Sequence, residues 1–301
     1  MVQSYDVLVA GSYSLDLIFT GLPHLPRLGE ELLVSGFAMI PGESYNSAVA
    51  MHRLGLRVGW AGDFGDDDFS RFALKEARRE GLDDSLFVHH QRPLRRISVA
   101  ASLPEDRAFL TYYDPEPRLP AILKAMAAAS AGMIYLPGLY YGPFLDAGLR
   151  LARLKRMKVL MDGNMGEPVS LEDPTVRKAV SSADLFLPNA REARCLTGLD
   201  DLAEALHVLG ELCPLVVVKD GPHGASAIQG GQVYHASGLG LQPVDTTGAG
   251  DCFNAGFIKA WLEERPVQEC LRWGNIVGGL STLGMGATGR VVRLEDVQRY
   301  L

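Results

Sequence analysis

The chain has 301 residues, 47% hydrophobic and 22% charged, with a net charge of −7. That is ample apolar material for one large domain over residues 1–301, and the acidic balance argues against nucleic-acid or anionic-membrane partners, which need a positive surface. Four widely spaced cysteines with no CxxC pair argue against a disulfide framework or a zinc site.

In chain order, the N-terminus has no basic start before its apolar run and carries Asp6 and Asp16, so it reads as a first strand rather than a signal peptide. A reducing cytoplasm is the expected location. Short apolar runs recur between helical patterns: "YDVLVAG" (5–11), "GMIYL" (132–136), "KVLMD" (158–162), "DLFLP" (184–188) and "PLVVVKD" (214–220). This alternation predicts an α/β fold with a mainly parallel sheet and helices on both faces.

Residues 125–145 are uncharged and long enough to cross a bilayer, but Pro137 and Pro143 make a helix end, a buried strand and a loop the better reading. Segments 15–40 and 95–114 alternate apolar and polar positions at period two around turns. They predict a small antiparallel sheet, with lid segments at about 12–40 and 92–115. In open α/β sheets ligands sit beyond the carboxyl ends of the strands, where such a sheet would close over them.

The stretch "DTTGAGDCFNAGF" (245–257) sets bare backbone between two aspartates and then turns into a helical pattern from Ala249 onward. The amides of Gly248, Ala249, Gly250 and Asp251 fall at that helix start, where the macrodipole and free N–H groups favour an anion. Asp251 lies inside this anion hole. The dipole is expected to hold it ionised, as a carboxylate able to take a proton from an attacking hydroxyl. The combination suits phosphoryl transfer; alone, it is also a glycine-rich turn before a helix.

This motif resembles that of the PfkB/ribokinase family of carbohydrate kinases, and similar motifs follow in the same order over nearly the whole chain. The resemblance implies a ribokinase-like three-layer sandwich with a β lid, and an ATP-dependent kinase using Mg²⁺. In "GSYSLDLIF" (11–19), Asp16 would hold sugar hydroxyls. In "PGESYNSAVAMHRLG" (41–55), Gly42 and Asn46 would contact the sugar, with Pro41 replacing the first glycine of the family's pair. "GDFGDDDFS" (62–70) has Ser70 in place of a last glycine and reads as a turn into a helix over 68–80.

"MDGNMGEP" (161–168) offers Asp162 and Asn164 to orient metal-bound water, with Gly166 where many sugar kinases carry Arg. "PNAREA" (188–193) supplies Asn189 and Glu192 to hold Mg²⁺ through water, or an N-cap with its capping-box partner, or both. "KDGPHGA" (219–225) resembles the nucleotide loop, with Lys219, Gly221 and Gly224 along the phosphates. In "GNIVGGLSTLGMGATG" (274–289), Asn275 would lie near the adenine and Gly278 would allow close approach, or the small residues serve helix packing. Asp245 with loop 284–289 resembles the family's monovalent-cation site, which in many members holds K⁺.

The expected reaction is transfer of the γ-phosphoryl of ATP to a sugar hydroxyl, with Asp251 as base. Arg95 and Arg96 either pair with a substrate phosphate or carboxylate or are solvated strand-edge charges. Phe37, Tyr112 and Tyr113 either stack on a nucleobase, which keeps a nucleoside kinase open, or cover a core. A non-catalytic sugar or nucleotide sensor is the rival of another class. A Rossmann oxidoreductase is disfavoured because "AGSYSLD" lacks GxGxxG. Apolar positions on the small sheet would suit a homodimer formed through the lid.

Overall fold

A computed structural model describes residues 4–103, 107–115 and 121–301, without the side chains of Arg107 and Phe144. The expected turn of the second lid segment, 104–106, lies outside the described residues. In chain order the strands are β1 (Ser4–Ala10), β2 (Tyr13–Thr20), β3 (Gly36–Glu43), β4 (Val58–Ala61), β5 (Asp63–Phe64), β6 (Val88–His89), β7 (Arg96–Ser102), β8 (Arg107–Tyr113), β9 (Ser130–Leu136), β10 (Lys158–Asp162), β11 (Leu185–Leu187), β12 (Leu215–Lys219), β13 (Ala225–Gln229) and β14 (Gln232–Ala236). The helices are α1 (Ser44–Arg53), α2 (Asp68–Arg79), α3 (Ala121–Ala128), α4 (Pro143–Leu154), α5 (Pro174–Val180), α6 (Ala190–Thr197), α7 (Leu202–Gly210), α8 (Ala249–Leu262), α9 (Val267–Ser281), α10 (Gly286–Gly289) and α11 (Leu294–Gln298).

Eight strands form the main sheet in the order β14-β13-β12-β11-β10-β9-β1-β4. Strands β12 to β4 are parallel, and β13 and β14 add an antiparallel edge. The strands are apolar throughout because helices cover both faces. Val7 and Val9 point into a core shared with Phe253, Phe257 and Leu271 of α8 and α9, while Leu8 and Ala10 point into a second core with Leu149, Val176 and Leu206. The result is the three-layer sandwich expected from the sequence. The uncharged stretch 125–145 is the end of α3, strand β9 and the loop into α4; among the described residues no helix is long and apolar enough to cross a membrane.

The lid is a four-stranded sheet in the order β3-β2-β7-β8. Its two hairpins are antiparallel, as expected, and where they meet β2 and β7 run parallel. Asp16 stands opposite Ile40 on β3 and Ser98 on β7, and Ser98 opposite Thr111. Period-two alternation therefore places Ser14, Asp16, Arg96, Ser98, Thr111 and Tyr113 on one face. A side chain at Gly286 would meet Ile40, the neighbour of Asp16, at 2.8 Å, so this face turns toward loop 284–289 of the main domain. Strand β7 is interior to the lid, which removes the strand-edge reading of Arg96.

Candidate active site

The carboxyl ends of β9, β10, β11 and β12 open on a cavity of about 730 Å³, which reaches from Asn275 and Gly278 of α9 across Lys219 to Asp251. At its centre is the start of α8. Helices α2, α5, α6 and α7 are capped by the side chains of Asp67, Asp173, Asn189 and Asp201, whereas α8 is preceded by Gly248 at φ 68° with no side-chain cap. Its first amides thus face the cavity. One of the four expected donors is otherwise engaged, since Ala249 N–H donates to the Thr246 carbonyl at 3.2 Å. No side chain fits at Gly248, where a Cβ would lie 2.1 Å from that of Ala287.

Asp251 lines this cavity. Ser47 Oγ donates to its Oδ1 at 2.6 Å, and Asn46 Nδ2 lies 3.4 Å from Oδ2. The sequence reading expected the helix dipole to keep Asp251 ionised like an ordinary aspartate. Instead, burial pushes its carboxyl up to about 7, with the charge of Asp162 adding and Ser47 and Lys219 opposing. Desolvation outweighs the dipole here.

Beneath it lies a buried polar cluster. Lys219 Nζ sits 3.1 and 3.2 Å from the two carboxylate oxygens of Asp162 and 3.2 Å from Asn254 Oδ1. Asn254 Nδ2 donates to Asp162 and, at 2.9 Å, to the Tyr135 hydroxyl. Asp162 is therefore tied to Lys219 as well as facing the cavity, while Asn164 lines the cavity beside it. Lys219 lines the cavity near Gly250, as a phosphate ligand should, but with its charge already matched.

Asn189 and Glu192 line the same cavity as a complete capping box: Glu192 N–H donates to Asn189 Oδ1 at 2.9 Å, and Asn189 N–H to Glu192 Oε2 at 2.8 Å. Burial raises the Glu192 carboxyl, with Asp162 adding. Gly221 at φ 52° and Gly224 at φ 95° shape the turn after β12, and a Cβ at Gly224 would strike the Ala236 carbonyl at 2.1 Å. Asn275 Nδ2 donates to the carbonyls of Ala236 and Ser237, fixing this wall. What approaches Gly278 is α8, since a Cβ there would be 2.9 Å from the Ala249 carbonyl.

A scan against family models matches residues 6–292 to the pfkB family of carbohydrate kinases. The chain belongs to that family. It is 26% identical to the ribokinase of Bacillus subtilis, over 98% of this chain and 99% of the relative. It is also 26% identical to the 2-dehydro-3-deoxygluconokinase of the same organism, over 87% and 86%. Among solved structures, the ribokinase of Arabidopsis thaliana complexed with ribose and ATP superimposes with a TM-score of 0.81 at 21% identity, covering 99% of both chains. A fructokinase double mutant of Vibrio cholerae O395, bound to fructose, ADP and potassium ion, gives 0.81 at 24% identity, covering 100% of both.

In this pfkB kinase the residues expected on the sugar side, Asp16, Gly42 and Asn46, gather at the lid joint. A Cβ at Gly42 would lie 2.6 Å from Asp16 Oδ2, so only glycine lets the strands bring that carboxylate in. Burial pushes Asp16 up to about 6, and Ser14 Oγ donates to it at 3.1 Å. Asn46 Oδ1 is buried with no hydrogen-bond partner among the described residues, an acceptor left for a ligand. Asp245 accepts from Thr247 N–H and Oγ1 and from Gly286 N–H, joining the anion loop to loop 284–289.

Arg96 departs from both readings made of it. Its side chain is only 12% exposed, and it is paired with Glu43 at 3.1 Å rather than solvated or open to an anion. Arg95 is paired with Asp114. Phe37, Tyr112 and Tyr113 do not cover a core, being 59%, 54% and 40% exposed. Ser47, Asn254, Tyr135 and Glu43 were missed. Asn254, three residues beyond Asp251 on one helix face, carried a spacing signal; Ser47 had only its place beside Asn46, and Tyr135 and Glu43 had none.

Proposed function

We propose that the chain transfers the γ-phosphoryl group of ATP to a hydroxyl, most simply a primary one, of a sugar or sugar derivative. The observation that carries this is the position of Asp251. It faces the lid-side residues Asn46 and Ser47 on one flank and the uncapped start of α8 with Lys219 on the other, with a carboxyl held near 7, where a general base works best.

In this reading Asp16, Gly42 and Asn46 orient the sugar, with Asp16 and Asn46 accepting from its hydroxyls. Asp251 takes the proton from the attacking hydroxyl. The amides at the start of α8, with Gly248 and Gly250 permitting close approach, stabilise charge on the transferring group. Lys219, Gly221 and Gly224 hold the phosphates, and Asn275 and Gly278 wall the base end of the nucleotide. Asn189 and Glu192 keep spare acceptor capacity beside Asp162, a donor set that fits Mg²⁺ held through water. Bound with the nucleotide, Mg²⁺ supplies neutralisation of the phosphate charge.

A monovalent cation beside Asp245 is part of the proposal; activity equal in K⁺ and in a bulky organic cation would remove it. The outer face of the lid, where Phe37 and Leu110 are 59% and 77% exposed, is proposed to pair with a second copy of the chain, which sedimentation tests.

The deciding experiment is ADP release from Mg-ATP over a panel of sugars, sugar acids, sugar phosphates and nucleosides, with wild type and Asp251→Asn side by side. Turnover at least ~10² lower in the variant is expected, the scale of one lost transition-state interaction. A variant within about tenfold of wild type would remove the base assignment. Silence across the panel with ATP still bound would favour the sensor.

A further inference from the structure

Glu43 is the last residue of β3 and precedes the first turn of α1, and its backbone sits at φ 54°, ψ −130°. This region is costly for a residue with a Cβ and persists only where the surroundings enforce it. They do so through its carboxylate. Arg96 Nη2 donates to Oε2 at 3.1 Å and Tyr113 Oη donates to Oε1, while Arg96 Nε donates to the Tyr13 carbonyl at 2.9 Å and its guanidinium lies 4.0 Å over the Tyr113 ring. The strained backbone thus aims an acid at an arginine on the lid face that carries Asp16.

This arrangement fixes how that face treats charge. An arginine recognises a carboxylate or phosphate through two parallel N–H donors. The Nε–Nη2 edge of Arg96 is already spent on Tyr13 and Glu43, and its positive charge is matched. Among the described side chains beside Arg96, this face offers acceptors and hydroxyls: Ser14, Asp16, Ser98, Thr111 and Tyr113. Each oxygen of Glu43 keeps a further lone pair, and its side chain is 31% exposed. Burial raises the Asp16 carboxyl, and the charges of Glu43 and Asp245 add to the rise, so this joint already carries neighbouring acids.

We infer that this face selects a neutral polyhydroxylated substrate and rejects sugar acids and sugar phosphates, with Glu43 as the specificity-determining residue that keeps Arg96 from an anionic ligand. The inference rests on the sugar-kinase reading. The family itself does not decide the matter, since relatives are named both for neutral sugars and for 2-dehydro-3-deoxygluconate.

The test is calorimetric titration of wild type and Glu43→Gln, which keeps shape and removes charge, with D-ribose, D-fructose, fructose 6-phosphate, D-gluconate and 2-keto-3-deoxy-D-gluconate. Wild type should bind a neutral sugar at least ~10-fold tighter than any of the acids, and Glu43→Gln should narrow that ratio at least ~10-fold, chiefly by tightening the acid, because like-charge repulsion sets it. Arg96→Met in the Glu43→Gln background should restore the discrimination and guards against a misfolded single variant.

Tighter binding of an acid by wild type, a ratio unmoved in a folded Glu43→Gln, or no neutral sugar bound would overturn the inference. ADP release, followed separately, tells its failure from that of the kinase reading. Discriminating binding without ADP release counts against the kinase alone; release driven by an acid counts against this inference alone.

Discussion

Ser47 Oγ donates a 2.6 Å hydrogen bond to Oδ1 of Asp251, 204 positions further along the chain. It ties the first turn of α1 to the first turn of α8, and it leaves Oδ2 with the longer 3.4 Å contact to Asn46. Ser47→Ala should lower kcat by about 10–10² with little change in KM for ATP, because it removes an aligning, charge-assisted bond and nothing near the nucleotide. That bond also favours the ionised carboxylate, so the acidic limb of the pH–rate profile should move to higher pH. A profile that does not move would make Ser47 a packing residue.

Asp251 at about 7 and Asp16 at about 6 both stand above their ordinary values because of burial. Sugar-dependent kcat/KM should therefore rise with pH through about 7 as the base of the free protein ionises. Stability runs the other way. Groups whose folded pKa is raised favour the native state fully below their unfolded pKa, near 4, and lose that contribution as pH climbs through 6 to 7. Denaturant titrations of the ligand-free chain between pH 5 and 8 should show stability falling, less steeply in Asp251→Asn.

The side chains of Lys219 and Asp162 are 11% and 7% exposed, so each is the other's chief compensation for lost water. Asp162→Asn should cost about 3–5 kcal/mol, the scale for stranding one partner of a buried pair. The double substitution with Lys219→Met should recover part of that loss in urea unfolding while leaving turnover impaired. If Asp162→Asn unfolds at the wild-type midpoint, the ammonium finds other shelter.

Gly248 combines φ 68° with a forbidden Cβ position against Ala287. Gly248→Ala should destabilise the chain by about 1–3 kcal/mol and lower kcat by ~10², since the amides it presents must shift. Gly224→Ala, which collides with the Ala236 carbonyl, should act instead on KM for ATP. Steady-state kinetics on both variants would show whether these two loops divide the work in this way.

The layers were readable because buried parallel strands leave unbroken apolar runs, and the start of α8 was readable because its glycines stand against the helical pattern that follows. The lid's two antiparallel hairpins were legible from period-two alternation, but not their parallel junction, which depends on where β1 and the segment before β7 deliver the chain. The place of Asp251 at the start of α8 was legible but the rise of its carboxyl was not, because burial and the charge of Asp162 come from parts of the chain far away in sequence. Arg96 was singled out while its partner Glu43 was not, since a pairing across 53 positions and a positive φ at a non-glycine residue leave no mark in a linear string.

Strand β3 passes into α1 with no intervening residue, Glu43 ending one and Ser44 beginning the other. Ser44 Oγ is meanwhile pinned to the carbonyls of Gly11 and Ser12, the only two residues between β1 and β2. The lid and the start of α8 are therefore joined at Ser44: any displacement of the lid sheet there would pass, through less than one turn of α1, to Asn46, Ser47 and the carboxylate they hold.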